Sequence, residues 1–225
     1  MSNADVERPI PTGRRSAERP RRHHPLAIAA TTVALLAMGA IAARPGISGF
    51  EREAFESINR LGREWMVVFF PAMQAGTLFA GPSAAVMAAA WGRRLLALEL
   101  LIAGPLAWLL ARGLKVVVNR PRPALLLESV VIRGGEASGL GYPSGHAAVA
   151  TALATVLAAW LPARWEWPVW GAVLLVGTAR VYVGAHLPFD VVGGVLLGAL
   201  VGASIRTLSH YRTVRAAVPL ADGDV

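Results

Sequence analysis

Residues 167–207 read WPVWGAVLLVGTARVYVGAHLPFDVVGGVLLGALVGASIRT. Two apolar runs, about 167–183 and 189–207, flank a short connection, and each reads as an apolar helix. The polar residues gather between them. Arg180 ends the first run, His186 lies in the connection, and Asp190 falls in the first turn of the second helix behind Pro188, a favoured helix-start residue. A histidine with a carboxylate partner is fixed in one tautomer and becomes more basic or nucleophilic. The same residues also fit an Asp capping a helix beside an interfacial His.

Further apolar runs extend towards the N-terminus. One covers 145–161 and another 95–118, the latter preceded by a positively charged Gly92-Arg93-Arg94 turn. The run from Trp65 to Trp91 is broken by Pro71 and Gly81-Pro82, so it is one long kinked span or two pieces. Residues 44–64 are mixed, with Phe50, Phe55, Ile58 and Leu61 at roughly helical spacing among charges, the pattern of a short interfacial helix. The first apolar stretch, 26–43, contains Ala40-Ile41-Ala42, which looks like a signal-peptide cleavage site. Its near-spanning length and the long charged segment before it favour an uncleaved anchor.

Composition agrees. Of 225 residues, 55% are hydrophobic and 16% charged, against about a quarter charged in soluble domains. There is no cysteine, which excludes disulfides, a thiol nucleophile and Cys-based metal sites. The net charge of +8 follows the edges of the apolar runs, which suits membrane orientation and anionic headgroups better than nucleic acid. The basic tail has no aromatic interleaving, so no nucleic-acid partner is expected. No repeat is visible.

The expectation is an all-α, six-helix membrane bundle with cytoplasmic N- and C-termini: a disordered basic tail over 1–25, a membrane domain over 26–207 and a second tail over 208–225. The positive-inside rule puts Arg93, Arg94, Arg164 and the C-terminal Arg206, Arg212 and Arg215 in the cytoplasm. It leaves 119–143 and 184–188 on the opposite face, although Lys115, Arg120, Arg122, Arg133 and Arg180 gather there. Charges beside spans are costly and point to function. Arg112 and Arg120, taken singly, read as side chains snorkelling to headgroups.

Three short motifs occupy that face. Lys115, the chain's single lysine beside 21 arginines, stands seven residues before Arg122-Pro123. A point charge and a planar fork both suit phosphate oxygens. Pro143-Ser144-Gly145-His146 opens an apolar helix, whose N-terminus is an anion site that Ser144 caps and Gly145 leaves open to a ligand. The third motif is Arg180, His186 and Asp190. Many donors facing one point imply a phosphoryl group.

The three motifs resemble the signature of the type 2 phosphatidic acid phosphatase family, the lipid phosphate phosphatases: Lys-x6-Arg-Pro, Pro-Ser-Gly-His and Ser-Arg-x5-His-x3-Asp. The resemblance covers roughly residues 50–207. One position departs, Ala179 standing where the family has Ser. The family's core is also similar to that of soluble vanadium haloperoxidases, a branch that six spans argue against. The resemblance implies that His186 attacks phosphorus to form a phosphohistidine, Asp190 orients His186, and His146 protonates the leaving oxygen and then helps water cleave the intermediate. Lys115, Arg122, Arg180, Ser144 and Gly145 would bind the phosphoryl oxygens.

Two His and one Asp could ligate zinc, but three cations at the same point would repel a divalent ion, so no metal and no cofactor is expected. The substrate implied is a lipid phosphate or diphosphate, with a prenyl diphosphate such as undecaprenyl diphosphate favoured by the outward face of a cell membrane. Phosphatidate and phosphatidylglycerol phosphate remain alternatives. So do a phosphotransferase on the same site and a non-catalytic phospholipid-binding module, and the oligomeric state stays open. The apolar runs Ala124–Leu127 and Val130–Ile132 either dip into the interface or pack on the helices.

Overall fold

The computed structural model describes residues 25–134 and 138–217, with side chains described to residue 211. Eight α-helices make up the described chain: α1 Pro25–Ala42, α2 Gly49–Asn59, α3 Met66–Met73, α4 Ala80–Ala90, α5 Arg94–Val118, α6 Gly145–Ala158, α7 Glu166–Tyr182 and α8 Pro188–Ala217. The expected runs map onto them closely. The open question over 65–91 resolves as two helices, α3 and α4, separated by a 3-10 turn over Gln74–Gly76.

Three described helices are long and apolar enough to cross a membrane: Pro25–Ala42, Arg94–Val118 and Pro188–Tyr211. Ala80–Ala90 and Gly145–Ala158 are apolar but shorter. Length and composition thus support a multi-pass membrane protein without by themselves giving six full spans.

The expected boundary of the last helix moves. Residues 208–217 continue α8 instead of forming a separate tail. No Gly or Pro occurs between Ala203 and Ala217 to stop it. The tail expected over 1–25, apart from Pro25, and residues 218–225 lie outside the described residues.

The central element is α6. Every residue from Ala147 to Val156 is buried, and the helix packs against α5, α7 and α8. In lipid, apolar side chains gain nothing by leaving the solvent, so close backbone approach and dispersion must hold helices together. The sequence supplies it with small residues. A Cβ on Gly194, Gly198 or Gly202 of α8 would collide with backbone or side-chain atoms of Ser144–Thr155 on α6.

The outer surface is the converse. Val67, Val86, Leu98, Leu109, Val116, Val117 and Leu174 are exposed along the helices. Trp65, Trp91, Trp165 and Trp167 are exposed near helix ends, where amphipathic rings favour the membrane interface. α2 is amphipathic. Ser48 caps it, Phe50 faces outward, and Glu51, Phe55 and Asn59 (spaced i, i+4, i+8) are buried against the bundle. It is therefore packed against the bundle on one side and exposed on the other. The loop after α5 packs in part on the helices: Leu127 is buried, while Leu125, Val131 and Ile132 are exposed.

Candidate active site

α5, α6, α7 and α8 bring their polar ends together. α5 closes at Asn119, whose left-handed φ of 53° turns the chain towards Arg120-Pro-Arg122. α6 opens at Ser144, whose Oγ accepts the Ala147 N–H at 3.5 Å, as the capping reading required. α7 ends two residues after Arg180, and α8 begins at Pro188. His186 lies in the tight connection, its N–H and that of Ala185 donating to the Arg180 carbonyl.

A cavity of about 580 Å³ opens between these ends, lined by Lys115, Arg122, Gly145, His146, Arg180 and His186, with Trp108, Arg112 and the 138–140 loop segment completing its wall. Asp190 stands behind His186 and is fully buried. Of the eight residues singled out in the sequence, six line this cavity, Asp190 stands behind His186, and Ser144 caps the helix whose first two residues help line the cavity. Its wall carries four cationic side chains, so it attracts an anion.

The details separate positioning from exposure. Lys115 Nζ donates to the carbonyls of Leu140 and Gly141 at 2.7 and 2.8 Å, tying α5 to the loop. Arg122 donates to the Ala185 carbonyl at 3.3 Å and Arg180 to the Met73 sulfur at 3.4 Å. Asp190 Oδ1 accepts from Arg120 at 2.9 Å, and Oδ2 accepts the Leu187 N–H at 2.9 Å. Oδ2 lies 3.6 Å from His186 Nδ1, ion-pair distance but too long for a hydrogen bond. With Nδ1 turned to Asp190, Nε2 is the end of the ring available for chemistry. Burial first, then Lys115, Arg180, Arg122 and His146, hold the His186 imidazole well below its ordinary value of 6.5. His186 is therefore neutral near pH 7. Among the described residues no group of three or more His, Cys, Asp or Glu could hold a metal ion.

Two sequence expectations need correction. Arg120 does not snorkel. It is buried between Glu51, to which it donates at 3.0 and 2.6 Å, and Asp190. Arg112, by contrast, stays exposed, its guanidinium 4.9 Å from the Trp108 ring centre at the cavity wall. Arg133 has a structural place outside the cavity lining. It donates to the carbonyls of Asn59, Leu61 and Tyr182, all at 2.7 Å, and stacks on the Tyr182 ring. Sequence reasoning missed Glu51, whose helical stripe with Phe55 and Asn59 was the available signal. Tyr142 packs between the site and α1, its hydroxyl donating to the Leu35 carbonyl at 3.4 Å. Burial, helped by Asp190, pushes its phenol up to about 12, so it stays un-ionised.

This chain is similar to two curated proteins. It is 33% identical over 108 residues to an undecaprenyl-diphosphatase of Sulfolobus acidocaldarius, covering 47% of this chain and 52% of that one. It is 29% identical over 113 residues to a lipid A 4'-phosphatase of Bacteroides thetaiotaomicron, covering 45% and 48%. The matched part thus spans about half the length of these relatives. Among solved structures, LpxE of Aquifex aeolicus superposes with a TM-score of 0.65 at 28% identity, over 72% of this chain and 97% of that one. A phosphatidylglycerolphosphate phosphatase of Bacillus subtilis shares the fold, with a TM-score of 0.62 at 20% identity over 82% and 96%. The PAP2 superfamily profile matches residues 94–214, a stretch that begins at α5 and carries all three cavity motifs. Sequence profile, fold and motif placement agree, and the chain belongs to the PAP2 superfamily.

Proposed function

We propose that this protein is a membrane lipid phosphatase or diphosphatase that works through a phosphohistidine. The observation that carries the reading is the single cavity in which Lys115, Arg122 and Arg180 surround His186 and His146 with Asp190 behind. His186 Nε2 attacks the terminal phosphorus in line, and the bond to the leaving oxygen (the ester oxygen of a monophosphate, the bridging oxygen of a diphosphate) breaks as His146 gives that oxygen a proton. His146 then takes a proton from water, whose oxygen attacks phosphorus and breaks the P–N bond, releasing phosphate and restoring His186. The cations and the N-terminus of α6, at Gly145 and His146 behind the Ser144 cap, hold the phosphoryl oxygens as charge redistributes. The neutral state of His186 is the one a nucleophile needs.

The substrate we favour is undecaprenyl diphosphate or a related prenyl diphosphate, a reading supported by the Sulfolobus relative's activity. The membrane domain would have six spans, with α3 and α4 together making one. Arg93 and Arg164 in connections away from the cavity, with Arg94 at the start of α5, support cytoplasmic termini and an extracytoplasmic site. Phosphatidate, phosphatidylglycerol phosphate and lipid A, the last suggested by the Bacteroides relative, are the competing substrates. A phosphotransferase on the same site is the competing reaction.

The test is phosphate release by detergent-purified protein from each of these four lipids, with EDTA present and His186→Ala in parallel. Release that persists in EDTA and disappears in the variant is expected, and the rates rank the substrates. No free phosphate, with the phosphoryl group found instead on an added acceptor alcohol, assigns a transferase. Equal release by wild type and variant removes His186 as nucleophile.

A further inference from the structure

We propose that Glu51 is a positioning residue for the His186 nucleophile, acting through Arg120 and Asp190 from a helix outside the part of the chain that the family profile matches. The inference rests on the phosphohistidine reading above.

Glu51 sits in the first turn of α2 and is buried. Both of its oxygens accept from Arg120, Oε1 from Nη1 at 3.0 Å and Oε2 from Nη2 at 2.6 Å. Oε1 also accepts the Phe189 N–H at 3.0 Å. That N–H belongs to the first turn of α8, where helices leave donors without internal partners. Glu51 thus holds the start of α8 by its backbone and, through Arg120, the carboxylate of Asp190 one residue further on. Phe55 and Asn59, one and two turns along the same face, complete the attachment. Phe55 packs with Val181 and Leu187, and Asn59 donates to the carbonyls of Val131 and Tyr182. The stripe runs beside the segment that carries Arg180, His186 and Asp190.

The charge arithmetic explains why a carboxylate, and not merely an acceptor, is needed. Arg120 alone would neutralise Asp190, leaving little field to stabilise positive charge on His186 as its Nε2 bonds to phosphorus. Glu51 supplies a second carboxylate to the same guanidinium. The buried group of two carboxylates and one guanidinium then keeps one negative charge behind the imidazole. Lys115 of α5, Arg122 of the loop after it, His146 of α6 and Arg180 of α7 face the imidazole from the other sides, and Asp190 of α8 is the acidic group nearest it. Tyr142 lies beside Asp190 but stays neutral.

The test compares Glu51→Gln, Arg120→Gln and the double variant in the purified protein, measuring kcat, KM, melting temperature and the pH profile of kcat/KM. Glu51→Gln keeps the shape and removes the charge. It should lower kcat by about ten- to hundredfold, by analogy with losing the outer partner of a metal-ligating histidine, with KM unchanged. Removing a negative charge disfavours imidazolium, so the acid limb should move to lower pH. Arg120→Gln should move it to higher pH. The double variant restores the wild-type net charge and should return the limb and recover activity relative to either single change.

Wild-type kcat and an unmoved limb in Glu51→Gln would overturn the proposal. So would losses that simply add in the double variant, which mark a structural brace. Should Glu51→Gln fail to fold, the double variant against Arg120→Gln decides: recovery supports the proposal and no recovery overturns it. An inactive wild type, or an active His186→Ala, instead overturns the phosphohistidine reading itself.

Discussion

Lys115 joins two tasks that a single residue type must satisfy together. Its ammonium is part of the cavity wall, and the same Nζ fastens the Leu140 and Gly141 carbonyls. Gly141 needs that fastening. A Cβ there would lie 2.7 Å from Asp190 Oδ2 and 3.2 Å from the Pro121 carbonyl oxygen, so the loop lies against the carboxylate with no room for a side chain. A compact ammonium on a flexible stem can reach two adjacent carbonyls, whereas a planar guanidinium presents its donors in a fixed fork. That is a physical reason for one lysine in a chain that otherwise uses arginine. Lys115→Met should lower kcat/KM by about a hundredfold or more, the usual effect of losing one donor to a developing oxyanion. It also removes one of the cations that keep His186 deprotonated. With that charge gone, the imidazole binds a proton at higher pH, so the acid limb of kcat/KM should rise towards the ordinary histidine range. A limb that stays in place would show that the Lys115 charge does not reach His186.

Among the elements, the α6–α8 pair fixes the distance between Ser144-Gly145-His146 and His186-Asp190. Gly194, Gly198 and Gly202 recur every four residues and face Ser144, Ala147, Ala148, Thr151, Ala152 and Thr155. Gly198→Leu should force the helices apart. Overpacking a tight contact costs about 1–3 kcal/mol or more, read as a lower melting temperature in detergent, and catalysis should fall even where the protein still folds. A variant as stable and active as wild type would mean that α8 does not seat against α6 as described. The limits of these helices were legible because apolar runs, Ser144 and Pro188 are local signals, whereas Pro71 lies inside α3 and the break comes three residues later, at Gln74. The convergence of Lys115, His146 and His186 was legible because each motif sits at a helix end on the same side. The Glu51–Arg120 pair was not. Its partners are 69 residues apart, and an arginine that will be buried in an ion pair looks in sequence like one that reaches for headgroups. Arg133 misled in the opposite direction, since three backbone carbonyls can satisfy a charge as fully as a substrate can.

The whole bundle is polar at two levels and apolar between them. At the end away from the cavity, Glu99 of α5 accepts from Arg206 of α8 at 2.6 and 2.8 Å and from the Trp160 indole at 2.8 Å, all in a largely buried group. At the other end lie the cavity and its ion group. Breaking a buried pair leaves an uncompensated charge, so these two polar layers pin α5 to α8 at both ends, and the apolar stretch between them is left to face lipid. The proposed topology, with Arg93, Arg94 and Arg164 in the cytoplasm, turns the cavity layer outward, and the absence of cysteine makes that directly measurable. Leu125, exposed beside the cavity loop, and Arg164, exposed in the α6–α7 connection, mark the two levels. In intact cells, Leu125→Cys should react with a membrane-impermeant maleimide, and Arg164→Cys should react only after permeabilisation. The reverse pattern would turn the site to the cytoplasm, and the substrate would then have to be a lipid phosphate presented in the inner leaflet. Labelling of both positions in intact cells would mean that the arginine-rich turns do not set a single orientation, and that the charge asymmetry of this chain serves headgroup binding instead.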